Sequence, residues 1–189
     1  MKDTIKLILV LTVICAVSSA LLAAVYGKTK DPIAAALELR TAKAAAGVLP
    51  AGVDTPVKRE ADGIVFFVAS KDGVPAGVAL EGRSKNGYGG EIVLMVGISA
   101  DGKLVNYQKL VASETPGLGT KMESDAFRQP LLGRSIKADW RVKKDGGEVD
   151  AITAATISSR AVMECVRDAI AKYERVAGSS TSENEIVAP

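Results

Sequence analysis

An uncharged apolar run near the N-terminus constrains this chain more than any other feature of its sequence. Residues 7–25 read LILVLTVICAVSSALLAAV and contain no charged side chain. As an α-helix rising about 1.5 Å per residue, the run is roughly 28 Å long, close to the roughly 30 Å hydrocarbon thickness of a bilayer. The sequence therefore predicts a single membrane-spanning helix, assigned to residues 7–27, after a short N-terminal segment at residues 1–6.

A cleaved signal peptide is the alternative interpretation of this run. The apolar core of a signal peptide has about 7–15 residues and ends at a cleavage site of small residues. Residues 17–20 (VSSA) offer such a site, but the apolar run continues past it to Val25, so we expect an uncleaved anchor. The positive-inside rule does not assign the orientation, because lysines flank the run on both sides, at Lys2, Lys6, Lys28 and Lys30.

The remainder of the chain divides into three predicted segments. Asp31 and Pro32 are typical of a helix N-cap and a first helical residue, and the alanine-rich sequence after them predicts a helix. The C-terminal sequence SSTSENEIVAP has no apolar face to bury, so we expect it to be disordered. The segments are a juxtamembrane helix at residues 28–50, a folded domain at residues 51–177 and a disordered tail at residues 178–189.

The folded domain carries the signals of a small sheet followed by one long helix. Runs rich in β-branched residues predict strands, and Asp72-Gly73 and Asp101-Gly102 are typical of hairpin turns. Residues 157–176 place apolar side chains on one helical face, which predicts an amphipathic helix. The predicted fold class is α+β, with a single N-terminal transmembrane helix followed by a small, mostly antiparallel sheet packed with helices. The predicted strands are residues 64–68, 74–80, 91–96 and 104–111.

The residue inventory excludes several classes of chemistry. The chain has no histidine, so it lacks the usual general base, the commonest transition-metal ligand and every imidazole-based triad. Its two cysteines, Cys15 and Cys165, are too few to hold an iron–sulfur cluster, and we predict no metal site. A net charge of +2 argues against a nucleic-acid partner. If this protein handles electrons, an organic cofactor carries them.

A glycine-rich loop, residues 113–120 (SETPGLGT), is the first of two segments that could bind a ligand. Its proline and glycines make a compact turn whose backbone can approach a ligand closely. Glu114 offers an acceptor, Thr115 a hydroxyl and Lys121 a cation just beyond the loop. The same residues could equally form an ordinary ordered turn.

Residues 150–156 (DAITAAT) are the second such segment, because they lead directly into the predicted long helix. Small residues at a helix start leave unpaired N–H groups accessible, and the helix dipole favours an anion such as a phosphate there. Two structural interpretations compete with this one. Thr153 or Thr156 could cap the helix, and Asp150 could be a turn residue at the end of a strand.

These segments together resemble the FMN-binding domain family. The sequence Asp-x-x-Thr-Ala-Ala-Thr is similar to the family's flavinylation motif, usually Asp-x-x-Ser/Thr-Gly-Ala-Thr. The similarity to the G subunits of Rnf ion-translocating oxidoreductases, within that family, is closer still. The similarity extends over about residues 85–170, and the segments that carry it are residues 88–90 (YGG), 95–98 (MVGI), 114–119 (ETPGLG) and 150–160.

The resemblance implies a covalent FMN. In that family a flavin transferase attaches FMN through a phosphoester to the last threonine of the motif, here Thr156. Asp150 would help the transferase recognise or activate this acceptor, and Thr115 and Leu118 would contact the flavin. Ala154 stands where glycine is usual, and a positive φ is costly for alanine. The expected cofactor-binding residues are Thr156, Thr153, Ala155 and Asp150 in the motif, and Glu114, Thr115, Gly117, Leu118, Gly119 and Lys121 in or beside the loop.

The family also implies a function. It predicts an electron-transfer subunit of a membrane complex that links ferredoxin and NAD to Na⁺ or H⁺ transport. The partners would be the other membrane subunits. The flavin domain would lie on the extracytoplasmic side of the cell membrane, and the N-terminus at residues 1–6 would be cytoplasmic. Three alternatives stay open: the C subunit of the Na⁺-pumping NADH:quinone oxidoreductase, a free-standing anchored flavoprotein for extracellular electron transfer, and a non-enzymatic anchored binding domain.

Overall fold

The structure is a computed structural model that describes residues 2–179 of the chain. It divides into two compact units, one ending at Arg40 and the other beginning at Thr41. Helix α1 spans Lys2–Val48, and its residues up to Arg40 form the first unit. Within the described residues, α1 is the one helix long and apolar enough to cross a membrane, and its large apolar side chains from Ile5 to Leu39 are exposed. Length, composition and exposure thus agree with the predicted anchor.

The helix start predicted at Asp31 and Pro32 is wrong, because α1 passes through both residues without a break. A proline inside a helix removes one backbone hydrogen bond and costs about 3 kcal/mol. Long helical segments rich in alanine and leucine lie on both sides of Pro32, and their favourable helix propensity offsets that cost. The limits of the membrane-spanning part of α1 stay a prediction.

The second unit is built on a five-stranded antiparallel sheet in which each strand pairs with the next along the chain. All four predicted strands are present, and β1 is an additional edge strand that the sequence pattern did not predict. Asp62-Gly63 and Asp72-Gly73 join the first three strands, with positive φ at all four residues as type I′ turns require. The strands are β1 (Val57–Ala61), β2 (Ile64–Lys71), β3 (Val74–Gly87), β4 (Gly90–Ser99) and β5 (Leu104–Val111).

The opposite faces of this sheet are covered by different helices. The last turn of α1, which belongs to the second unit, covers one face of the sheet. Its residues Ala44, Ala45 and Val48 are buried against side chains such as Phe67 and Met95. The segment between β5 and the final helix, residues 112–155, contains a short helix α2 (Asp125–Arg128) and three 3₁₀ turns. Its buried side chains close the end of the core on the other face, and they include Met122, Phe127, Leu131 and Trp140.

Helix α3 (Thr156–Ser179) covers that other face of the sheet. Its predicted apolar stripe is confirmed, with Val162, Val166 and Ile170 buried against the strands. A methyl group added at Gly82 of β3 would lie 1.9 Å from the Cys165 carbonyl oxygen, so glycine is what lets this helix approach so closely. The predicted tail begins at residue 178, where α3 still continues, and residues 180–189 lie outside the described part of the chain.

Candidate functional site

The two chemically promising segments meet at one cavity. The cavity has a volume of about 450 Å³, within the roughly 300–1,000 Å³ typical of small-ligand sites. Six of the predicted site residues line it, together with four that were not predicted. The lining residues are Tyr88, Glu114, Thr115, Leu118, Gly119, Ala154, Ala155, Thr156, Ile157 and Ser158.

Four predicted site residues do not line this cavity. Asp150 is exposed and forms an ion pair with Lys143 at 2.8 Å. Gly117 adopts a φ of 74° and donates its N–H to Thr120 Oγ1 at 3.0 Å, so it shapes the loop. Lys121 lies in the 3₁₀ turn Gly119–Glu123, and Thr153 is exposed ahead of α3.

Glu114 is the buried centre of the loop side of the cavity, with an exposed fraction of only 7%. Its Oε1 accepts the Gly89 N–H at 3.1 Å, and its Oε2 accepts the Ser158 hydroxyl at 2.5 Å. A methyl group added at Gly119 would lie 2.4 Å from Oε2, so the loop backbone passes directly over the carboxylate. Glu114 thereby joins the β3–β4 turn, the loop and the start of α3.

The first turn of α3 has the opposite character, since it leaves polar groups unpaired. Ser159 Oγ accepts the Ile152 N–H at 2.9 Å and donates to the Ala155 carbonyl at 2.9 Å, which closes the entry to the helix. In residues 2–179, no acceptor contacts the backbone N–H groups of residues 156–158. Neither Thr153 nor Thr156 caps the helix through its side chain within that range. Three free N–H groups at a helix start favour an anion.

Ala154 has a φ of 62°, in the left-handed region. This conformation costs an L-residue about 1–2 kcal/mol, while glycine adopts it without penalty. This chain therefore holds a left-handed turn at Ala154 in spite of the strain.

Lys144 contacts Thr156 from outside the cavity lining, and the sequence pattern did not predict this contact. Its Nζ donates to Thr156 Oγ1 at 3.1 Å from the 3₁₀ turn Lys143–Asp145. The next residue in that turn, Asp145, accepts two N–H bonds from Arg160 at 2.6 and 2.7 Å. The Arg160 hydrogen bonds hold the pKa of Asp145 below its usual range. Two adjacent lysines in a polar stretch give no signal from which this contact could be foreseen.

Residues 87–171 match the family model described as FMN-binding domain, and this range contains every residue that lines the cavity. The predicted resemblance to the family is confirmed, and FMN is supported as the cofactor.

Curated relatives carry a more particular name. The G subunit of the ion-translocating oxidoreductase complex of Shewanella baltica (strain OS223) is 36% identical over 125 residues, covering 63% of this chain and 56% of the relative. The protein of the same name from Vibrio cholerae serotype O1 is 40% identical over 110 residues, covering 55% of this chain and 53% of the relative. The chain thus spans a little more than half the length of these curated relatives.

Two solved structures are also similar to this chain. The C subunit of the Na⁺-translocating NADH-quinone reductase from Parabacteroides distasonis is 24% identical, with a TM-score of 0.49 over 58% of this chain and 60% of that structure. NqrC of Shewanella oneidensis is 21% identical, with a TM-score of 0.46 over 66% of this chain and 65% of that structure.

The cavity fits a flavin mononucleotide chemically. Tyr88, Leu118 and Ile157 line it with apolar side chains that are 69%, 39% and 47% exposed, so apolar surface is available to a flat ring system. The hydroxyl of Thr156 and the three free N–H groups are polar instead, and they suit a phosphate. One cavity therefore offers both kinds of contact that an amphipathic nucleotide requires.

Proposed function

We propose that this chain is an electron-transfer subunit that carries FMN bound covalently to Thr156. The complex to which this subunit would belong is membrane-bound and ion-translocating. It would link ferredoxin and NAD redox chemistry to the transport of Na⁺ or H⁺. The single observation that carries the proposal is the Thr156 hydroxyl at the cavity, beside unpaired helix N–H groups and inside the segment that matches an FMN-binding domain.

The attachment end of the cavity would be formed by the start of α3. Thr156 would supply the ester oxygen, and the N–H groups of residues 156–158 would donate to the remaining phosphate oxygens. Esterification removes one water, so the chain gains the mass of FMN less that of water. A flavin transferase would perform the attachment, and Asp150, exposed on the surface, would be accessible to it.

The rest of the cavity would hold the flavin ring. Leu118 and Thr115 come from the glycine-rich loop, Tyr88 from the turn between β3 and β4, and Ile157 from α3. These side chains would orient the ring and exclude water from one of its faces. FMN itself supplies the one- and two-electron chemistry, so the absence of histidine from the chain is no obstacle.

The proposed place in a complex is supported by the relatives and by α1. Relatives named as the G subunit of an ion-translocating oxidoreductase complex support other membrane subunits of that type as partners. The apolar, exposed α1 supports attachment to the membrane. We propose, as the family precedent implies, that the flavin domain faces the extracytoplasmic side.

The experiment is an intact-mass measurement of the full chain co-expressed with a flavin transferase. Wild type is expected to gain the mass of FMN less one water, and Thr156→Ala is expected to gain nothing. Thr156→Ser keeps the hydroxyl and serves as the matched variant, for which a gain is expected. A wild type without added mass, beside a second substrate that the same transferase does modify, would rule out covalent flavinylation and favour the anchored binding domain.

A further inference from the structure

A short turn brings a positive charge to Thr156. The 3₁₀ turn Lys143–Asp145 lies beside the first turn of α3 and makes two adjacent contacts with it. Lys144 Nζ donates to Thr156 Oγ1 at 3.1 Å, and Asp145 binds Arg160 through both carboxylate oxygens. Since Thr156 and Arg160 are four residues apart, they lie on the same side of α3, one turn from each other.

This turn is fixed by its own hydrogen bonds as well as by Arg160. The Lys143 N–H donates to the Val149 carbonyl at 2.8 Å, and the Asp145 N–H donates to the Val142 carbonyl at 2.8 Å. Gly146 ends the turn with a φ of 80°. The backbone that carries Lys144 is therefore held in place, and only the lysine side chain itself is free to adjust.

The Lys144 ammonium, unlike its charged neighbours Lys143 and Arg160, has no described carboxylate partner. Lys143 forms an ion pair with Asp150 at 2.8 Å, and Arg160 with Asp145 at 2.6 Å. No carboxylate in residues 2–179 forms an ion pair with Lys144, whose only described side-chain contact is the neutral Thr156 hydroxyl. An uncompensated ammonium beside three unpaired N–H groups provides both the charge and the donors that bind a phosphate group.

We propose that Lys144 is a positioning residue that recognises the phosphate of the flavin and holds it at Thr156. The inference rests on the proposed function and adds a specific residue to it. Before attachment, the ammonium would hold the phosphate group next to the acceptor hydroxyl. After attachment, it would donate to a non-bridging oxygen and neutralise the remaining negative charge of the phosphodiester.

The test compares two ligands that differ only in the phosphate. The full chain carrying Thr156→Ala cannot form the ester, so the reversible binding of FMN and of riboflavin can be measured by quenching of flavin fluorescence. Adding Lys144→Met is expected to weaken FMN binding about tenfold and to leave riboflavin binding unchanged, because riboflavin has no phosphate. Adding Lys144→Arg instead should restore FMN binding, and added salt should weaken FMN binding only where residue 144 is cationic.

Lys137→Met on the same Thr156→Ala background is the matched control, since it removes one exposed positive charge whose side chain has no described contact with Thr156, unlike that of Lys144. It is expected to leave the binding of both flavins unchanged. Equal weakening of FMN and riboflavin by Lys144→Met, unweakened FMN binding, or no measurable FMN binding by the parent protein would each overturn the inference. The mass gain of wild type with the transferase tests the proposed function separately, so the two failures are distinguishable.

Discussion

The two sides of the cavity use their polar groups in opposite ways. On the loop side, both oxygens of the buried Glu114 are occupied by donors from the protein itself. On the helix side, Thr156 is only half-buried, and the N–H groups next to it have no acceptor within residues 2–179. A fully hydrogen-bonded buried group contributes to the fold, whereas unpaired groups at a cavity are available to a ligand.

This difference distinguishes Glu114 from Thr156, although both residues belong to segments that resemble the family. Glu114 lines the cavity, and its predicted contact with the cofactor stays a prediction. Its hydrogen bonds also join three segments of the chain at the cavity. The side chain of Thr156 contributes little to the stability of the fold, since its described hydrogen bond is the one with Lys144. Stability should therefore depend on Glu114 and cofactor attachment on Thr156.

The largest effect on stability is expected for Glu114→Ala. The substitution leaves the Gly89 N–H and the Ser158 hydroxyl without their acceptor, and each loss costs about 1–3 kcal/mol, so the free energy of unfolding should fall by about 3 kcal/mol. Thr156→Ala should change it by less than about 0.5 kcal/mol. Urea denaturation of the flavin-free proteins in the same detergent measures both values. Equal destabilisation by the two variants would remove the distinction between the two sides.

A second effect, of about 2 kcal/mol, is expected for Gly119→Ala. The added methyl group would lie 2.4 Å from Glu114 Oε2 and 2.6 Å from Ser158 Oγ, so the loop must shift or the Glu114–Ser158 hydrogen bond must break. Gly117→Ala is the comparison, because the methyl group there meets no atom within 4 Å and the cost is only that of a positive φ. Thermal unfolding of both variants shows which substitution lowers the stability more. A smaller loss for Gly119→Ala than for Gly117→Ala would contradict close packing around the carboxylate.

Ala154→Gly is expected to change stability in the opposite direction. Glycine removes the strain of the φ of 62° but adds entropy to the unfolded chain, so a gain of about 0.5–1 kcal/mol is expected. The same measurement on Ala151→Gly, which the structure gives no positive φ, should show a loss instead. A loss of stability for Ala154→Gly would mean that the motif does not hold a left-handed turn at this position.

The sequence predicted most of the sheet because its turns are local. Asp72-Gly73 and Asp101-Gly102 marked two hairpins, and the strands on either side of them are confirmed. β1 was missed because its sequence VKREA has no apolar alternation, as expected of an edge strand exposed to solvent. Asp62-Gly63, the same type of turn, was the available signal.

The site was predicted only as far as a contiguous motif reaches. Residues 114–119 and 150–156 are local patterns, and the structure brings both to one cavity. Tyr88 lines that cavity because β3 pairs with β4, and Lys144 contacts Thr156 beside the Asp145–Arg160 ion pair. Single-sequence patterns encode neither arrangement. Burial, too, depends on tertiary structure, so the distinction between Glu114 and Thr156 required the fold.

The smallest effect concerns the turn that presents Lys144, and it depends on pH. Hydrogen bonding to Arg160 lowers the pKa of Asp145 from 3.8, so the folded state binds a proton there less readily than the unfolded state does. The stabilisation is therefore present in full above about pH 5 and is lost as the pH falls below 3.8 towards the lower folded pKa. Wild type should unfold at a higher temperature than Asp145→Asn at pH 7, and the difference should shrink between pH 5 and pH 3. A difference that stays constant over this range would show that the Asp145 carboxylate does not contribute through its charge, and Arg160 would then not be what fixes the turn beside Thr156.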